Sequence, residues 1–177
     1  MELVRPALAA SSTAAERSIS TEHEFRLLYE RTAQPLRAYL YRMLSDASRA
    51  DDILQETYLR FLQAKLPADM TEEHRKNYLF RIATNLLHNE AGARTTVELT
   101  DHLGRSNAAD DRLDSVRCLE QLSPRQRELL WLAYVEEFTH KEIAGMLGIK
   151  APSIRPMLAR ARERLSEILK RGGWKRK

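Results

Sequence analysis

The chain carries a single cysteine, Cys118. No internal disulfide can form, and a chain of this kind belongs in a reducing compartment, so a cytoplasmic protein is expected. Cys118 falls within a helical pattern and reads as a small buried side chain rather than a reactive thiol. Only six glycines punctuate 177 residues, and β-branched runs are missing, which argues against sheets. No stretch approaches the roughly 18 apolar residues of a membrane span. The start, Met1-Glu2-Leu3-Val4-Arg5-Pro6, lacks a basic run followed by an apolar core, so no signal peptide is read. His23, His74, His88, His102 and His140 are scattered. They show no ligand spacing, no motif places paired carboxylates, and no glycine-rich phosphate loop occurs. Neither metal, cofactor nor catalytic residue is expected, and enzymatic activity is set aside.

What is present favours helices. Apolar residues make up 43% and charged residues 31%, with Leu, Ala, Arg and Glu dominant, enough to fill helical cores. The net charge of +4 is unevenly placed. Residues 116–177 hold 14 Lys or Arg against 7 Asp or Glu, residues 95–115 hold 2 against 5, and residues 1–94 are balanced at 13 each. A basic final third on a small helical protein is the electrostatic footprint of phosphate-backbone binding.

The expected fold is all-α, with two small helical domains on a flexible linker. Residues 1–20, rich in Ala, Ser and Thr, read as a mobile tail. Residues 21–94 form the first domain. Its first helix is expected from about Glu22 to Leu44, with Phe25, Leu28, Tyr29, Thr32, Leu36, Tyr39, Leu40, Met43 and Leu44 at three- and four-residue steps. Pro35 is expected to kink or split it. Ser48 is the expected N-cap of a second helix carrying Ile53, Leu54, Thr57, Tyr58, Phe61 and Leu62 on one face. After a loop containing Pro67, a third helix is expected from about Glu72 to Ala91, with Gly92 at its end. Residues 95–115 are polar and acidic and read as the linker, residues 116–170 as the second domain, and residues 171–177 as a basic tail.

Ser123-Pro124 opens a helix by rule, Ser as N-cap and Pro at the first position. That helix is expected to run to about Glu137. The sharpest local signal is the run from Thr139 to Ile149. Thr139 caps a helix, Glu142 completes a capping box, Ile143, Ala144 and Leu147 supply an apolar face, and Gly148 permits a left-handed turn. A second helix follows with Ile154, Leu158, Ala161 and Leu165 inward and Arg155, Arg160, Arg162 and Arg164 outward. This is a helix-turn-helix whose arginines suit guanine edges and phosphates. Pro156 is expected either to shorten that helix, with Ser153 as its cap, or to bend it.

These segments, taken in order, resemble the extracytoplasmic-function sigma factors, the smallest group of bacterial RNA polymerase initiation factors. Ala50-Asp51-Asp52-Ile53-Leu54-Gln55-Glu56-Thr57-Tyr58-Leu59-Arg60-Phe61 is similar to their region 2.2. Asn77 to Leu87 is similar to region 2.3, and Leu122 to Leu165 to region 4. The resemblance implies that Asp51, Asp52, Gln55, Glu56 and Arg60 grip the polymerase clamp. It implies that Lys76, Arg81, Asn85 and Asn89 meet the minus-10 element, with the loop from Lys65 to Lys76 holding an extruded base. It implies that Lys150, Ser153, Arg155, Arg160 and Arg162 meet the minus-35 element. Core RNA polymerase, promoter DNA and an anti-sigma protein are the implied partners, without membrane insertion.

The likeness thins at particular places. After Asn85 the family's basic run is reduced to His88-Asn89-Glu90-Ala91-Gly92-Ala93-Arg94, Thr84 stands where an arginine is common, and Lys150 replaces a capping serine. The residues also admit a stand-alone helix-turn-helix regulator or a sigma-like interaction protein without initiation activity.

Overall fold

In a computed structural model, the backbone is described for residues 9–67, 69–95 and 118–171, and side chains for 22–67, 69–90 and 118–171. Six helices are labelled here: α1 (Ala9–Leu44), α2 (Ala47–Gln63), α3 (Glu72–Thr95), α4 (Pro124–Tyr134), α5 (His140–Leu147) and α6 (Ala151–Arg171). The all-α expectation holds for the described residues.

α1, α2 and α3 pack together as one body. Leu28, Leu36, Tyr39 and Leu40 of α1 meet Ala50, Ile53, Tyr58 and Phe61 of α2 and Leu79, Ile82, Ala83 and Leu87 of α3 in the core. Buried hydroxyls are satisfied inside it. Thr32 Oγ1 donates to the Leu28 carbonyl at 2.6 Å. Its single proton is thereby used, so the Tyr58 hydroxyl, 2.7 Å away, donates to it.

α4, α5 and α6 form the second body around Leu129, Leu132, Ile143, Leu147, Ile154, Leu158 and Ala161. Leu122 and Cys118 are buried beside them, Cys118 at 6% exposure as a small apolar side chain should be. The expected Thr139–Glu142 capping box opens α5, and at α4 the expected Ser123 cap is completed into a second capping box by Gln126. Each satisfies two N–H groups that the helix start leaves free. Gly148 closes α5 at φ 63°, and its N–H reaches the Ala144 carbonyl.

Several expectations need correction. Residues 9–20 are helical, not a tail, because no glycine or proline interrupts the sequence between Ala7 and Gln34 and α1 simply extends backwards. α1 is unbroken across Pro35. Asp46, not Ser48, caps α2, its side chain accepting from the Arg49 N–H. α3 runs past Gly92 to Thr95. α4 stops at Tyr134, short of Glu137, which takes φ 58° in the following turn. Val135 is consequently exposed, and Phe138 is buried in its place. Leu62 points outward at 57% exposure, and Tyr29 is 45% exposed.

Pro156 does not shorten α6, which starts at Ala151 and continues to Arg171 with the proline inside it. The N–H that Pro156 lacks would have met the Pro152 carbonyl one turn earlier. Both prolines lie on the exposed side, where water can take the orphaned carbonyl. The Ser153 N–H meets the Lys150 carbonyl at 2.9 Å in a tightened first turn.

The two bodies touch through described side chains. α3 packs on α5, and α1 packs on α4. The linker expected at 95–115 lies outside the described residues, apart from Thr95 at the end of α3. Of the basic tail only Arg171 is described.

Candidate polymerase and nucleic-acid interfaces

α2 turns one face to the α1–α3 core and the other outward. Asp52, Gln55, Leu59 and Leu62 are exposed, and their spacing of three, four and three places them on one stripe. Leu59 is 53% exposed and Leu62 57%. Two large apolar side chains beside two polar ones make a surface suited to a protein partner. Sequence reasoning missed Leu59 and turned Leu62 inward, although the spacing from Asp52 already aligned them.

The other residues expected on this face are partly engaged within the chain. Arg37 of α1 grips Asp51 with two bonds, Nε to Oδ1 at 2.5 Å and Nη2 to Oδ2 at 3.0 Å. The hydrogen bond to Arg37 holds the Asp51 carboxyl below its usual range, against the smaller opposing effect of desolvation. Arg60 pairs with Glu56 one turn back at 2.6 Å. Asp51 thus ties α2 to α1, while Asp52 and Gln55 take no side-chain partner among the described residues.

On α3, Arg81, Asn85 and Asn89 are exposed and stand at four-residue steps, one line along the helix. Lys76 does not join them. It lies against the second body, with Nζ 3.1 Å from Glu136 Oε2 and stacked over the Phe80 and Phe138 rings at 5.6 and 5.0 Å. Thr84 is fully buried against the Tyr39 hydroxyl at 2.9 Å. An arginine at that position would have to enter the core, which gives the departure at Thr84 a structural reason. Tyr78 packs beside Phe61 with ring centroids 6.2 Å apart. The loop expected to hold a base is shorter than 65–76, since α3 begins at Glu72. Arg31 pairs with Glu72, and Arg75 with Glu24.

On α6, Lys150 precedes the first turn and is exposed, Ser153 is half-buried, and Arg155, Arg160 and Arg162 are exposed. Among the described residues these three arginines form no ion pair, whereas Arg164 is held by Glu167 at 3.0 Å. At about 100° per residue, Arg155 and Arg162 share one edge of the helix and Arg160 stands roughly 140° around it. The arginines flank the outward line of α6 rather than forming a single row.

Between the bodies lies a polar seam that the sequence did not disclose. Glu128 of α4 is 3% exposed. The Tyr39 hydroxyl donates to its Oε1 at 3.0 Å, His88 Nε2 lies 3.0 and 3.1 Å from its two oxygens, and Arg125 Nη1 is 3.3 Å from Oε2. Burial first, and then the charge of Glu128, pushes the Tyr39 phenol well above its usual range. The Asn77 amide donates to Glu142. Phe80 meets Phe138 edge-on at 5.1 Å. Arg127 donates to the carbonyls of Leu119, Glu120 and Leu122 in its own body and to that of Arg42 in α1.

Comparison with known proteins places the chain in a family. Residues 28–95 match Sigma-70 region 2, and residues 115–165 match Sigma-70, region 4. The chain is 33% identical over 144 residues to the ECF RNA polymerase sigma factor SigL of Mycobacterium tuberculosis, covering 75% of this chain and 81% of that protein. It is 28% identical over 156 residues to the ECF RNA polymerase sigma factor SigM of Bacillus subtilis, covering 82% and 94%. In fold it is similar to the sigma factor RpoE bound to the anti-sigma factor NepR from Bartonella quintana. The TM-score there is 0.67 at 24% identity, covering 83% of this chain and 97% of that one. It is also similar in fold to CnrH in complex with the cytosolic domain of CnrY, with a TM-score of 0.63 at 22% identity, covering 89% and 94%.

Proposed function

We infer the task of this chain from one premise: it belongs to the ECF RNA polymerase sigma factors. It directs promoter-specific transcription initiation by binding core RNA polymerase and the minus-10 and minus-35 promoter elements. It is a binding factor with no catalytic step of its own, and it works in the cytoplasm, where promoter DNA is.

The observation that carries the reading is one chain that presents both an unpartnered mixed stripe on α2 and unpaired arginines on a capped helix-turn-helix. Asp52, Gln55, Leu59 and Leu62 form the polymerase-docking stripe, with Glu56 and Arg60 at its edge and Asp51 positioning α2 through Arg37. Arg81, Asn85 and Asn89 meet the minus-10 strand. α6 lies against the minus-35 duplex. Recognition helices read bases with their N-terminal residues, so Arg155 reads a base edge while Lys150, Ser153, Arg160 and Arg162 hold phosphates. An anti-sigma protein is a further partner, supported by the two similar folds, each bound to such a protein or a domain named with it.

Gel filtration with core polymerase tests the docking stripe. The wild-type chain is expected to co-elute with the enzyme, and the double change Leu59→Asp with Leu62→Asp to elute alone while keeping its helix content. Co-elution of the doubly substituted chain at wild-type strength would remove α2 from the interface.

A further inference from the structure

The side of α6 turned away from its own core carries, along its midline, no hydrogen-bonding side chain until Glu163. Ile154, Leu158, Ala161 and Ile168 are buried and fix the inward direction. At about 100° per residue, Pro152, Pro156, Ala159 and Glu163 lie closest to the opposite direction, and all four are exposed. Arg155 and Arg162 stand on one flank of that line and Arg160 on the other, none of them in an ion pair among the described residues. Along the axis, Pro156 is about 6 Å beyond Pro152 and Ala159 about 4.5 Å further. The three therefore span about three base pairs at roughly 3.4 Å each. Their side chains neither donate nor accept hydrogen bonds. The Glu163 carboxylate, which phosphates repel, marks where the helix parts from a duplex.

Pro156 has a second effect. The Pro152 carbonyl has as its α-helical partner the N–H that Pro156 lacks, so an open acceptor stands beside an apolar ring. Water can take that acceptor in the free chain. A duplex laid over this side excludes the water, and the carbonyl then loses free energy unless a donor replaces it. In the major groove only a T·A pair offers both complements, the thymine C5 methyl for the ring and the adenine N6 amino group for the carbonyl. A C·G pair has an amino donor but no methyl group.

Resting on the sigma-factor reading above, we propose that Pro156 is a specificity-determining residue for the minus-35 element: its ring packs on a thymine C5 methyl while the Pro152 carbonyl accepts from the paired adenine. The arginines on the two flanks hold the phosphate walls and set the helix over that pair. Arg155 reads a neighbouring base edge through hydrogen bonds, and Pro156 reads its pair through apolar contact. The element therefore carries thymine at one position and rejects cytosine there.

The test uses the full chain bound to core polymerase, on promoter DNA taken from its own transcript start sites. Each thymine of the minus-35 element, on either strand, is replaced in turn by deoxyuridine, which lacks only the C5 methyl, and affinity is measured by gel shift. One position is expected to lose about fourfold, the contribution of one buried methyl group. Cytosine at that position is expected to bind more weakly still, and 5-methylcytosine to recover about fourfold over cytosine. Pro156→Ser removes the ring and restores the N–H, and α6 keeps its helix because serine is a better helix former than proline. That variant is expected to bind thymine and deoxyuridine alike at the same position, while the discrimination that depends on Arg155 persists. Equal affinity for thymine and deoxyuridine at every position overturns the proposal, as does an undiminished deoxyuridine penalty in Pro156→Ser. Neither result touches the sigma reading. If the wild-type chain starts no transcripts with core enzyme, that reading fails and the proposal falls with it.

Discussion

Arg155 and Arg160 differ less in exposure than in azimuth, and that difference separates their roles. Both are exposed on α6, yet they point roughly 140° apart, so one helix laid in a groove cannot aim both at the same base edges. Arg155→Ala is expected to weaken minus-35 binding by about 1–3 kcal/mol and to relax specificity at one base position. Arg160→Ala should weaken all duplexes alike and lower the salt slope by about one unit. Binding isotherms on matched and mutated duplexes at several salt concentrations check this; equal base discrimination in both variants contradicts it. In the first body, Tyr58→Phe leaves Thr32 bonded to Leu28 but removes a buried donor, and should cost about 1 kcal/mol in denaturant unfolding.

Legibility at this scale followed sequence distance. Thr139 and Glu142 were readable because a capping box is written within four residues. Lys76 was not, since Glu136, which claims it at 3.1 Å, lies 60 positions on. Glu128 gave no local sign that it would be buried: an acid between Arg127 and Leu129 normally faces water, and its burial is made tolerable by Tyr39 and His88 from the other body together with Arg125 of its own helix.

At the scale of elements, α5 and the turn after it carry contrasting glycines. Gly148 sits at φ 63°, where a side chain is strained, and Gly145 lies inside α5 with open space around a built Cβ. Gly148→Ala is expected to destabilise the second body by about 1–2 kcal/mol. Gly145→Ala is expected to stabilise it by about 1 kcal/mol through helix propensity. Thermal melts of the two variants should therefore move in opposite directions, and a shared direction contradicts the assignment of the turn. Glu142 adds a pH dependence. Desolvation raises its carboxyl, but hydrogen bonds from the Thr139 side chain and backbone and from Asn77 outweigh it and leave the group below its ordinary value of 4.5. A depressed carboxyl contributes stability that is present above the unfolded value and lost as pH falls through the folded one. The melting temperature should fall on acidification below about pH 4.5, and Glu142→Gln should flatten that part of the profile.

Element boundaries were legible where a cap or a turn residue marked them and not where only composition spoke. The α4 and α5 starts were recovered from Ser123-Pro124 and Thr139. The start of α1 was not legible because residues 9–20 have helical propensity without an apolar stripe. A later start of α6 at Pro156 is the expectation that fails, because the cost of a helix proline is set by what becomes of the orphaned carbonyl, which depends on which side faces water.

For the whole molecule, composition and charge distribution pointed to a helical, phosphate-binding protein. The ordered motifs pointed to a sigma factor. The seam was illegible because contact between the two bodies depends on pairs such as Tyr39 with Glu128 and Asn77 with Glu142, each spanning the linker. The central claim is that this chain makes polymerase start at chosen sites. Purified core RNA polymerase, genomic DNA and nucleotides should be combined with and without the protein, and transcript 5′ ends sequenced. Addition of the protein is expected to produce a small set of new start sites sharing upstream minus-10 and minus-35 sequences, with Arg155→Ala depleting them. An unchanged scatter of starts would contradict the account.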